Sequence, residues 1–242
     1  CHNRRTQPDP SSSHGLEPHS PETGLLMGDV GWFPPNLSID RGQIITSHGA
    51  QNNERLCATC HVVFEEITDA ATGDFLLNSV GHGFNAIPCY DDEGFPSTAD
   101  CGLTLDERSF TGCASSGCHS SETGALAALT AASSRLEFLA DELHDLLEQV
   151  DPNLAEAGGE IDATDGRFTV AEGAYFNMEL AAFGGEGRPS PLLAYAGASA
   201  HNPFLTEQLL IGSIRAIENE YNLAAAASAE MLTPQIQADG LE

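Results

Sequence analysis

Between Thr123 and Val150 apolar residues recur at helical spacing. Leu136, Leu139, Leu143, Leu146 or Leu147, and Val150 fall on one stripe in a stretch otherwise rich in Ala and Glu. The pattern predicts a long amphipathic helix, stopped by Asp151 and Pro152. A Gly- and Asp-rich loop runs on to Arg167, after which Thr169-Val170-Ala171-Glu172 has the spacing of a capping box. A second helix is therefore predicted from about Val170 to Phe183. Gly184, Gly185, Gly187, Pro189 and Pro191 mark a further loop leading to Asn202-Pro203. Asn is favoured at a helix N-cap and Pro at the first helical position, so a third helix is predicted from there to about Met231.

The first half of the chain is patterned differently. From Val30 to about Glu122, Gly, Pro, Asn and Asp are frequent and no periodicity is sustained, which predicts sparse regular structure. Residues 1–30 are poor in apolar positions and carry Pro8, Pro10, Pro18 and Pro21, which predicts a flexible tether. The expected organisation is a tether over 1–30 and one domain over 31–242. That domain divides into irregular loops at 31–122 and a helical part at 123–242, giving a mainly α fold with about three long helices. With 242 residues, 41% of them hydrophobic, the chain can build a core. No run approaches the roughly 18 apolar residues of a membrane span, and no repeat of 20 to 50 residues is visible.

Charge narrows the partners. There are 36 Asp and Glu against 9 Lys and Arg, for a formal net charge of -27, and every basic residue is arginine. Such a surface repels nucleic acid and anionic headgroups and suits a basic docking partner.

The seven cysteines carry more information than the charge. Four form two pairs each followed by histidine, Cys57-Ala58-Thr59-Cys60-His61 and Cys113-Ala114-Ser115-Ser116-Gly117-Cys118-His119. In C-x-x-C-H two thiols add to haem vinyl groups, and the adjacent imidazole reaches the iron from the same side. The first motif fits without deviation. The second has four intervening residues, whose small side chains permit a bulge. A zinc site of Cys57, Cys60, Cys113 and Cys118 is the rival reading. It accounts for the thiols but not for the histidines. With 9 histidines in 242 residues, one falls at a given position by chance in roughly one case in 27.

The sequence here resembles the multihaem cytochromes c of bacterial respiratory chains. The resemblance is carried by the two motifs, by Gly81-His82-Gly83-Phe84, by Ser109-Phe110-Thr111-Gly112 before Cys113, and by Ala200-His201-Asn202-Pro203. It covers roughly residues 45–215. It implies two covalently attached c-type haems with bis-histidine iron, His61 and His119 as proximal ligands, and distal ligands drawn from separate histidines. Haems closed on both faces suit electron transfer, whereas an open position permits substrate chemistry. Three residues compete for the two distal positions. His82 lies between glycines and is expected at the first haem. His201 precedes the Asn202 cap and is expected at the second. His48, beside Gly49, is the third. His2, His14, His19 and His144 read as solvated, and Met178 as a core residue rather than an axial thioether.

Cys89 and Cys101 lack a following histidine, and c-type haem matures in an oxidising compartment, so a disulfide is expected there. Closing a loop of about 13 residues contributes roughly 3 kcal/mol in the chain-entropy picture. Cys1 is expected to be the acylated cysteine of a lipoprotein, with an incidental terminus as the alternative. An EF-hand reading of Asp165, Gly166 and Glu172 fails, because Ile161 and Ala163 occupy its first and third ligand positions. The expected protein is an electron carrier rather than an enzyme, at the periplasmic or extracellular face and held to the membrane by lipid. Its partners would be redox proteins, basic ones or those of a membrane complex. The alternatives are a haem enzyme of the peroxidase or nitrogen-oxide reductase type, and a subunit of a cytochrome filament or larger membrane redox complex.

Overall fold

A computed structural model describes residues 5–35, 37–39, 47–49, 53–69, 71–79, 86–90, 96–97, 108–115, 119–182, 191–225 and 228–236. Four helices make the body: α4 (Glu122–Val150), α5 (Val170–Ala181), α6 (Pro191–His201) and α7 (Pro203–Glu220). Three shorter ones precede them, α1 (Glu22–Met27), α2 (Cys57–His61) and α3 (Thr111–Ser115). Antiparallel pairs β1 (Glu65–Thr68) with β2 (Phe75–Ser79), and β3 (Cys89–Tyr90) with β4 (Pro96–Ser97), complete the described elements. The fold is mainly α.

The long helix forms because its sequence supplies both a cap and a stripe. Ser121 accepts the Gly124 N–H at its start. Leu136, Leu139, Leu143, Leu146 and Leu147 are buried to completion. They meet Ala171 and Ala174 of α5, Ala198 of α6, and Phe204, Leu210, Ile211, Ile214 and Ile217 of α7. At the capping box of α5, the Thr169 hydroxyl accepts the Glu172 N–H while Glu172 accepts the Thr169 N–H. Met178 packs against the main core.

Three expectations are corrected. The tether does not extend over 1–30. The Gly31 N–H donates to the Thr6 carbonyl at 2.7 Å, Leu16 joins the main core, and Leu25 and Val30 pack with Leu180, Leu205 and Leu209. Leu16, Leu25, Leu26 and Val30 look sparse among prolines in a linear count, yet all four are buried against the helical body. Secondly, the segment before Asn202 is helix, so His201 ends α6 rather than merely preceding α7. Asn202 is the N-cap of α7, its Oδ1 accepting the Leu205 N–H, yet its own N–H donates to Ala198. Thirdly, α7 stops at Glu220 and not near Met231. Residues 231–236 fold back onto a buried ion pair, Arg135 Nε to Glu207 Oε1 at 2.7 Å. Arg135 Nη2 donates to the Met231 and Thr233 carbonyls, and Glu207 accepts the Gln235 and Ile236 N–H groups. These bonds compensate the two desolvated charges.

No helix among the described residues is long and apolar enough to cross a membrane. Because Leu25 is fully buried, Leu25→Ala is expected to lower unfolding free energy by about 2–5 kcal/mol in urea denaturation. An unchanged midpoint would return the N-terminal segment to the status of a tether.

Candidate functional site

The first cysteine motif is one turn of helix. A turn closed by the Leu56 N–H on the Asn53 carbonyl leads into α2, where Cys57 and Cys60 stand at i and i+3 and His61 at i+4. That spacing puts all three on one side of the helix. All three are half-buried, while Val62 and Phe64 just beyond are 41% and 59% exposed. Apolar surface thus adjoins the motif histidine.

The second motif is anchored from behind. Phe110 is buried with Ala125 under the first turns of α4, and Glu122 accepts both the Phe110 N–H at 2.7 Å and the Thr111 hydroxyl at 3.2 Å. Cys113 follows on α3. Burial, with Cys60 and Glu122 nearby, pushes its thiol up to about 12. Cys57, Cys60 and Cys113 are present as thiols. The two motifs touch. A β-carbon at Gly112 would lie 2.9 Å from the Cys60 carbonyl oxygen, so only glycine lets α3 approach α2 this closely.

The motif histidines each face a second histidine. His61 and His201 have ring centroids 6.2 Å apart with planes 17° from parallel. His119 and His48 are also 6.2 Å apart, with planes at 57°. A metal–imidazole bond is about 2.0 Å and a ring nitrogen lies about 1.1 Å from its ring centre, so two rings opposed across one metal atom have centroids about 6.2 Å apart. Two rings at a tetrahedral angle would be about 5 Å apart by the same measure.

Hydrogen bonds fix the tautomers of both partner histidines. His201 Nδ1 lies 2.7 Å from the Gly197 carbonyl and His48 Nδ1 lies 2.6 Å from the Ala200 carbonyl. A carbonyl only accepts, so each Nδ1 carries the proton and each Nε2 is the lone-pair nitrogen, the form that ligates a metal. Both acceptors lie near the C-terminal end of α6, and Ala200 is among the last carbonyls, which have no helical N–H to meet. Burial holds His201 below the ordinary histidine range against the pull of the Gly197 carbonyl, and His61 adds to the depression. Burial likewise lowers His119, with His48 adding to it. Burial thus favours the neutral form of His119 and His201.

Two further contacts set these histidines from below. Asn202 Nδ2 donates to the Leu25 carbonyl at 2.7 Å, tying the residue after His201 to α1. Gly49, the residue after His48, sits so close to α1 that a β-carbon there would be 2.5 Å from the Leu26 carbonyl oxygen. Neither contact has a signal in the sequence beyond the Asn-Pro cap and the glycine.

The expected pairing of histidines is rearranged: His201 faces His61 of the first motif, and His48 faces His119 of the second. His82, Cys118, Cys101 and Cys1 lie outside the described residues. Cys89 is disulfide-bonded. His14 is exposed with Nδ1 3.1 Å from Glu17, and His144 lies 4.0 Å from Asp145 and 3.9 Å from Glu148 on the surface of α4. No known protein family, curated protein or solved structure matches the chain.

The lowered histidines predict a pH dependence for the cofactor-free chain. His119 and His201 are depressed from 6.5, so the unfolded chain binds protons that the fold refuses. Stability from this source is complete above pH 6.5 and falls as pH drops below it. Denaturant midpoints should decline from pH 7.5 to 5.5, and less steeply in His201→Gln. A flat profile would contradict the burial of both rings.

Proposed function

We propose that this chain is a dihaem c-type cytochrome that carries single electrons between redox partners outside the cytoplasm. The observation that carries the reading is the pair of histidine couples. Each motif histidine lies beside one separate histidine, ring centroids 6.2 Å apart in both couples, close enough for two imidazoles to serve one metal. The zinc alternative calls for thiolates converging on one atom and leaves the four imidazoles without a role.

Cys57 and Cys60 would hold the first haem, and Cys113 with Cys118 the second. His61 and His201 would ligate the first iron, and His119 and His48 the second. When bound, haem supplies a one-electron iron couple. The chain's own part would be to present four imidazoles, of which His48 and His201 are oriented by carbonyl acceptors on Nδ1. Those acceptors would make both stronger donors through Nε2 and lower the reduction potential of an iron they held. Two histidines to each haem would leave no place for a substrate, so the reading is a carrier and not an enzyme.

The remaining features agree with this role. The disulfide at Cys89 belongs to an oxidising compartment, where c-type haem is attached. The net charge of -27 would steer docking to basic redox partners, free or within a membrane complex. A lipid on Cys1 would keep the protein at the membrane that houses them.

The full chain, expressed where c-type haem is attached, is expected to give two haems in a pyridine haemochrome assay. Its reduced spectrum should be unchanged by carbon monoxide. Stoichiometric zinc without haem would refute the reading. Rapid carbon monoxide binding by one haem would replace the carrier with an enzyme.

A further inference from the structure

Asn53 is bonded to both sites at once. Its Nδ2 donates to the His48 carbonyl at 2.5 Å, and its Oδ1 accepts the Thr59 hydroxyl at 2.5 Å. Thr59 is the second intervening residue of the first motif. His48 is the residue that faces the histidine of the second. A side-chain amide carries its donor and its acceptor on separate atoms of one short stem, so Asn53 can hold both partners at once. Asn53 also closes the turn into α2 through its own carbonyl, which sets where its side chain can reach.

The other hold on His48 comes from the same direction. Its ring bonds to Ala200 in α6, the residue before His201, and its backbone bonds through Asn53 to α2, which carries His61. Thus His48 is placed from two sides by the two elements that bear the first couple. His201 bonds to Gly197 in the same helix that holds the His48 ring, so the two couples share α6 as well as α2.

We propose that Asn53 is a positioning residue that couples the two centres: through it α2, which carries His61, helps hold His48 in place for the second iron. The proposal rests on the dihaem reading above. Partners that orient a ligating histidine typically change metal affinity by about 10–100-fold when removed, and Asn53 is expected to fall in that range for the His48 bond.

The test uses the full haem-loaded chain, with carbon monoxide as the probe of a released distal ligand and redox potentiometry beside it. Asn53→Ala should keep two haems, and one of them should become reactive to carbon monoxide while the other stays closed. Added to His48→Ala, which opens the same haem, Asn53→Ala should change neither carbon monoxide uptake nor potential further. Should Asn53→Ala fail to fold, Asn53→Asp and Thr59→Val read the same bridge. The first cannot donate to the His48 carbonyl, the second keeps the shape of Thr59 without its hydroxyl, and each should open one haem. Two closed haems with the parent's potentials in these variants would overturn the role of Asn53 alone. So would equal opening of both haems, or an undiminished effect of Asn53→Ala in the His48→Ala background. A parent chain without haem would overturn the dihaem reading itself, and this proposal with it.

Discussion

The last turn of α6 ends in carbonyls that no helical N–H can reach, and the histidines are arranged around that deficit. Ala200, one of these, accepts from His48, and Gly197 one turn back accepts from the His201 ring, so one helix end sets two imidazole tautomers together. The negative end of the helix dipole lies at the same place and favours positive charge nearby. A helix that stopped one turn earlier would leave both rings unoriented. The deep core of α4, α5 and α7 has its functional meaning in keeping α6 where it is.

Some of this was legible along the chain and some was not. The leucine stripe of α4 and the Thr-x-x-Glu box of α5 are local patterns, and the elements follow them closely. Asn202-Pro203 correctly marks a helix start but hides the helix before it, because Ala, Gly and Ser between Pro191 and His201 give no amphipathic signal. Loop-like composition also concealed α1. Leu25 and Val30 are buried by partners about 150 to 180 positions away, and no window of sequence registers such a contact.

The site divides in the same way. Cysteine spacing singles out Cys57, Cys60, His61, Cys113 and His119 because their chemistry is set by neighbours in sequence. Which distal histidine meets which motif is a matter of topology. His48 lies nearer the first motif in sequence yet faces the second, since α2 and α3 pack through Gly112 and so bring both motifs to the same end of α6. The carbonyls that select the tautomers are invisible to residue identity, every residue having one.

Packing of the N-terminal segment changes how far the protein could roam. Thirty extended residues would span about 100 Å, enough to swing among partners over a wide area of membrane. With Thr6 already bonded to Gly31, whatever holds residue 1 would keep the folded body within about 20 Å of it.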